Sequence, residues 1–134
     1  MPHARGTFDV TLAPLPPYES TEGALLGRFS LDKTFSGELD ATSRGEMLSA
    51  GSAVKGSAGY VAIERVVGTL AGQEGTFVLQ HNGTMNRGAP SLIVTVVPDS
   101  GTGALSSLAG TMSIEIADGV HSYHFAYSLA GTDS

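Results

Sequence analysis

Apolar and polar residues alternate with a period of two along almost the whole chain. That is the spacing of strands with one buried and one wetted face. Thr7 to Leu12 sets Phe8, Val10 and Leu12 against Thr7, Asp9 and Thr11. Pro14, Pro16 and Pro17 follow, and because proline has no N–H to donate they predict the end of that ladder. Residues 13–23 are therefore expected to form a Pro-rich loop. From Gly27 to Ala41 one face carries Phe29, Leu31, Lys33, Phe35, Gly37, Leu39 and Ala41. Arg28, Ser30, Asp32, Thr34, Ser36, Glu38 and Asp40 make up the other. Thr42 to Ala50 continues in the same style, and the small residues of Gly51 to Gly59 read as a loop. Tyr60–Leu70, Thr76–Met85 and Ser91–Val97 read as further strands, with a turn at Pro98–Gly101. Asp118-Gly119 joins Ser113–Ala117 to His121–Leu129 as a hairpin, and Ala71–Gly75 reads as a second hairpin loop.

No segment has a helical period. About eight strands joined by short turns imply antiparallel pairing in one all-β domain. The 134 residues suit a single domain spanning 1–134, with 130–134 a disordered tail. Glycine is 18 of 134 residues, against an ordinary usage of ~7%. Interior glycines such as Gly37, Gly68 and Gly83 permit the curvature that closes a sheet, so an eight-stranded antiparallel closed β-barrel is favoured over a flat sandwich.

Composition narrows the chemistry. Cysteine is absent, which excludes disulfides, Cys-ligated metals and thiol nucleophiles. A net charge of −6 argues against a nucleic-acid partner, which would require a basic stripe. No apolar run is long enough to span a bilayer as a helix, and the N-terminus has no signal-peptide pattern, so no membrane partner and a cytoplasmic location are expected. His121 and His124 sit at odd spacing on a strand, so their rings point to opposite faces and cannot share a metal. No metal and no cofactor are expected. Gly51–Ser57 lacks the order of a phosphate loop, and there is no nucleophile elbow.

Five blocks, taken in order, resemble a known family. They are LDKTFSGELDATSRGEML (Leu31–Leu48), GYVAIERVVGTL (Gly59–Leu70), GTFVLQHNGTM (Gly75–Met85), VVPDSGTGAL (Val96–Leu105) and LAGTM (Leu108–Met112). Together they resemble a family of small bacterial proteins of unknown function with an allene-oxide-cyclase-like β-barrel. The resemblance covers roughly Gly6 to Leu129. It implies a barrel able to hold an apolar molecule, as wider members of that fold do when they steer a cyclisation. No catalytic motif of those enzymes can be matched to this chain, and fold alone does not carry a reaction.

Inward positions of a barrel either fill the core or leave a pocket at one mouth. The alternation turns Lys33, Glu64 and His81 inward, with Tyr123 and, less firmly, Tyr60 and His121. Glu64, His81 and Tyr123 are the candidate catalytic residues. A desolvated Glu64 is a candidate general acid or base, Lys33 or Tyr123 could polarise an oxygen, and His81 could shuttle a proton. Lys33, Phe35, Tyr60, Phe77, Met112, Phe125 and Tyr127 are candidate ligand contacts. Each has a plain structural alternative: an ion pair sealing a barrel end for Glu64 and Lys33, backbone satisfaction for His81, and core packing for the aromatics. The loop from Pro14 to Gly23, with Tyr18, is either a cap on one mouth or a surface connection.

Three readings follow. The barrel binds an apolar small molecule, or it turns one over as a cyclase or isomerase, or its core is filled and it acts through its surface. Val61, Ile63 and Val67 fall on the outer face beside Arg65. A row of outward β-branched residues marks an interface, so a homo-oligomer is expected.

Overall fold

The structure is a computed structural model in which residues 1–131 are described. Among the described residues nine strands form: β1 His3–Leu15, β2 Leu26–Gly37, β3 Leu39–Gly51, β4 Ala58–Leu70, β5 Gln73–Asn86, β6 Ala89–Val96, β7 Thr102–Gly103, β8 Ala109–Ala117 and β9 Val120–Ser128. Every pairing is antiparallel, in the order β4-β3-β2-β1-β9-β8-β6-β5, and β4 pairs back onto β5 to close the ring. The eight long strands make the barrel, while β7 is a two-residue addition to the end of β5. No helix among the described residues is long and apolar enough to cross a membrane.

The period-two pattern appears directly as burial. Leu31, Lys33 and Phe35 on β2, Leu39, Ala41 and Ser43 on β3, and Ala62, Glu64 and Val66 on β4 point inward. Their sequence neighbours point to solvent. The run from Gly27 to Ala41 is one alternation but two strands. It bends at Glu38, and Phe35 pairs with Ala41 across the corner. The bend falls where Tyr123 ties β2 and β3 together, as described below.

Two loop boundaries in particular differ from the sequence expectation, each for a physical reason. β1 continues through Pro14 to Leu15, with Pro14 opposite Phe29. Its ladder with β9 stops at Phe8 opposite His121, so beyond that point β1 has only β2 beside it. Proline is tolerated on such an edge. The connection to β2 is therefore 16–25 rather than 13–23. The loop expected over Ala71–Gly75 is only Ala71-Gly72, because Leu70 already pairs with Gln73. Both turn residues have positive φ, 49° and 83°, the geometry that matches the twist of a two-residue hairpin. Asp118-Gly119 adopts the same form, at 52° and 76°. In the expected tail, the Ala130 N–H donates to the Ser107 hydroxyl at 2.8 Å, and residues 132–134 lie outside the described residues.

The core is unevenly distributed along the barrel axis. Phe35, Leu39, Val66, Leu70, Phe77, Leu79, Phe125 and Tyr127 fill one half. Leu105 and Leu108, in the connection between β7 and β8, belong to the same cluster and close that end. Phe77 and Phe125 stack at 5.9 Å between ring centroids, and Phe125 and Tyr127 at 5.3 Å.

Candidate functional site

The other half of the barrel is hollow. A cavity of about 670 Å³ opens there, walled by Phe8, Val10, Leu31, Met47, Tyr60 and Ile114 among others. Local sequence explains the space. Opposite positions pair a large residue with a small one: Ser49 with Tyr60, Tyr60 with Gly83, Met47 with Ala62, and Ala62 with His81. Gly45 faces Glu64 in the same way. The ladders thin out on either side of the mouth. β6 and β8 share two residue pairs, Val94 with Met112 and Thr95 with Thr111.

An ionisable cluster lies at the boundary between the hollow and filled halves. The Lys33 ammonium donates to Glu64 Oε2 at 2.8 Å, and the Ser43 hydroxyl donates to Oε1 at 2.6 Å. His81 Nε2 lies 2.6 Å from Oε2, and His81 Nδ1 lies 3.2 Å from the Tyr60 hydroxyl. Glu64 is fully buried, while Lys33 and His81 are nearly so and reach the cavity wall. Burial pushes the Glu64 carboxyl up. The His81 hydrogen bond, the Lys33 charge and hydrogen bond, and the Ser43 hydroxyl outweigh it and hold the carboxyl at about 2. Glu64 is therefore ionised near neutral pH and can only accept. In its neutral form the His81 imidazole then carries its hydrogen on Nε2 and offers Nδ1 as an acceptor for the Tyr60 O–H. The chain of donors runs Tyr60 to His81 to Glu64. Burial, then the Glu64 charge, raises the Tyr60 hydroxyl above its ordinary range, so it stays protonated. Lys33 also lies over the Phe8 ring, 4.7 Å from its centroid.

The structure thus brings Lys33, Glu64, His81 and Tyr60 together, and separates Tyr123 from them. The Tyr123 hydroxyl accepts from the Leu39 N–H at 2.9 Å and lies 3.1 Å from the Ser36 carbonyl. It binds the β2–β3 corner, 84 residues away in sequence. Burial pushes its hydroxyl up, and the charges of Glu38 and Asp40 add to that. Of the expected ligand contacts, Lys33 and Tyr60 line the cavity. Phe35, Phe77, Met112, Phe125 and Tyr127 belong to the filled half instead. His121 lines the cavity against Phe8, at 5.2 Å between ring centroids. His124 faces away from it and meets His3 at 2.7 Å, Nε2 to Nδ1. Phe8, Met47, Ile114 and Ile116 also line the cavity and lie outside the ligand contacts expected from sequence. Alternation marks the inward side of β1, but nothing in it says which end of the barrel stays open.

The Pro-rich connection does not cap the mouth. Pro16 and Tyr18 border a separate outer hollow of about 530 Å³, with Arg28, Glu46, Leu48, Val61 and Ile63. Tyr18 itself is fully exposed.

Fold and site together define a closed all-β barrel, packed at one end and hollow at the other, with a buried ion cluster between the halves. The chain belongs to the family described as "Protein of unknown function (DUF3224)", which matches residues 4–127. A solved structure from that family, a protein of unknown function from Shewanella oneidensis MR-1, is similar throughout. It shares 54% sequence identity over 98% of this chain and 99% of that chain, with a TM-score of 0.93. No curated protein matches the chain.

Proposed function

We propose that the chain binds an apolar small molecule in the hollow half of the barrel. The observation that carries this reading is the cavity itself. It is about 670 Å³, within the ~300–1,000 Å³ of small-molecule sites, and it has the common pattern of apolar walls with a few convergent polar groups. The test is native mass spectrometry of gently purified protein, followed by titration with Nile red. A retained adduct, or saturable dye uptake blocked by Met47→Trp, is the expected result. Folded protein that holds no adduct and takes up no dye would overturn the reading in favour of a barrel acting through its surface.

A second reading, turnover of the bound molecule by cyclisation or isomerisation, is favoured by one observation. The Tyr60–His81–Glu64 chain is oriented like an acid–base relay, with an ionised carboxylate behind the imidazole. Holding a flexible substrate in a reactive shape would supply much of the acceleration. Under this reading Glu64→Gln lowers turnover by about 10² or more while a neutral ligand still binds.

The outer face of β3 and β4 is the second surface with a proposed role, as the contact with another copy of the chain.

A further inference from the structure

The strongest unassigned feature is the direction of the hydrogen bonds that end on the cavity wall. Oε2 of Glu64 takes both the Lys33 ammonium and His81 Nε2. Oε1 takes Ser43. An ionised carboxylate supplies no hydrogen, so each of these three groups must donate to it. In the neutral imidazole that demand places the His81 hydrogen on Nε2, and Nδ1 then draws the one hydrogen of the Tyr60 hydroxyl. What Tyr60 presents to the cavity is oxygen lone pairs without a hydrogen. A second group at the same floor has the opposite character. Lys33 uses one N–H on Glu64 and keeps two more, next to the Phe8 and Phe35 rings at 4.7 and 5.6 Å.

The cavity wall therefore carries both an acceptor, Tyr60, and a cation, Lys33. A ketone or an ether satisfies only the cation. A carboxylate satisfies the cation but places lone pairs against the Tyr60 oxygen. A hydroxyl donates to the Tyr60 oxygen through its hydrogen, which none of the others can do, and keeps an oxygen able to accept. Close packing holds the acceptor in place. A Cβ on Gly83 would sit 2.4 Å from Tyr60 Cε1, so the ring lies directly on the backbone of β5 and cannot turn toward it.

From this we infer that the cavity is built for an apolar molecule carrying a hydroxyl group, alcohol or phenol in type, whose O–H donates to Tyr60. The inference rests on the cavity being a ligand site, and it assigns the class of ligand taken there.

The experiment compares two probes of nearly equal shape, 1-naphthol and 1-methoxynaphthalene, by fluorescence titration of the full chain. The hydroxyl probe is expected to bind about five- to tenfold more tightly, the worth of one neutral hydrogen bond. In Tyr60→Phe, which keeps the ring and removes the acceptor, the two affinities are expected to converge, while circular dichroism confirms the fold. Equal binding by the unaltered protein overturns the hydroxyl assignment and leaves the cavity reading intact. Preference that survives in Tyr60→Phe also overturns it, since the hydroxyl would then sit elsewhere. Failure of both probes and of Nile red to bind overturns the cavity reading itself.

Discussion

Glu64 is the residue on which both halves of the barrel meet, and its chemistry sets two expectations. Glu64→Gln leaves the Lys33 ammonium buried without a counter-charge. Breaking a buried pair on one side costs about 3–5 kcal/mol, whereas replacing both partners by apolar groups of similar volume is often neutral. Denaturant midpoints should therefore show Glu64→Gln strongly destabilised and Lys33→Met/Glu64→Leu recovered only in part, because the buried Ser43 and His81 donors lose their acceptor. A Glu64→Gln protein as stable as the parent would mean the ion pair contributes nothing. The second expectation concerns acid. The Glu64 carboxyl is held at about 2, below its ordinary 4.5. Its contribution is fully present above pH 4.5 and is lost as pH falls through about 2. That contribution is about 3 kcal/mol by linkage. Urea unfolding between pH 6 and pH 2 should show the loss, and Glu64→Gln should lack that component of it. The sequence showed that Lys33, Glu64 and His81 face inward, because alternation reports side. It could not show that Tyr123 leaves their company. The partners of Tyr123 are backbone groups of a corner far away in the chain, and no local pattern encodes that contact.

Among the elements, the hairpins follow most directly from sequence and also show where local chemistry is imperfect. Asp118-Gly119 has the preferred residues for its turn. Ala71-Gly72 has the same backbone but places alanine at φ 49°, a left-handed conformation that costs an L-residue with a Cβ roughly 1–2 kcal/mol. Asparagine tolerates that region. Ala71 is exposed, so Ala71→Asn is expected to stabilise by about 0.5–1 kcal/mol, without change in ligand binding. Thermal unfolding of the two proteins measures it, and an unchanged or lower midpoint would contradict the argument. The strand ends were less legible. Pro14 signals a stop when the sequence is considered one residue at a time. Here it sits where β1 has one neighbour, and whether a strand has one neighbour or two is decided by the whole ring. The same limit hid the cavity: Tyr60 opposite Gly83 and Met47 opposite Ala62 become visible as space only once the register between strands is known.

At the scale of the whole molecule, one end of the barrel is consumed by packing and the other by the cavity, which leaves the outer wall as the surface for assembly. Leu48, Val61, Ile63 and Val67 are 53%, 50%, 50% and 43% exposed on the adjacent strands β3 and β4. Leu48 lies directly opposite Val61 in register, so the apolar residues form a patch rather than isolated points. Two ion pairs lie around it, while Arg65, opposite Arg44 in register, has no ion pair among the described residues. Arg28 pairs with Glu46 at 2.7 Å, and Arg44 with Asp32 at 3.4 Å. In a chain of net charge −6, Arg28, Arg44 and Arg65 against Glu46 and Asp32 leave this patch without the excess negative charge of the whole molecule. Two-fold contact uses the same patch on both partners, so a single charge introduced there enters the interface twice. Ile63→Lys changes an outward side chain on the middle of β4 and leaves the inward Ala62 and Glu64 untouched. The parent protein is expected to run as an oligomer in size-exclusion chromatography with light scattering, and Ile63→Lys as a monomer that retains its fold and its dye uptake. A monomeric parent would remove the role of this face in self-association. An Ile63→Lys protein that remained oligomeric would move the contact to another part of the wall.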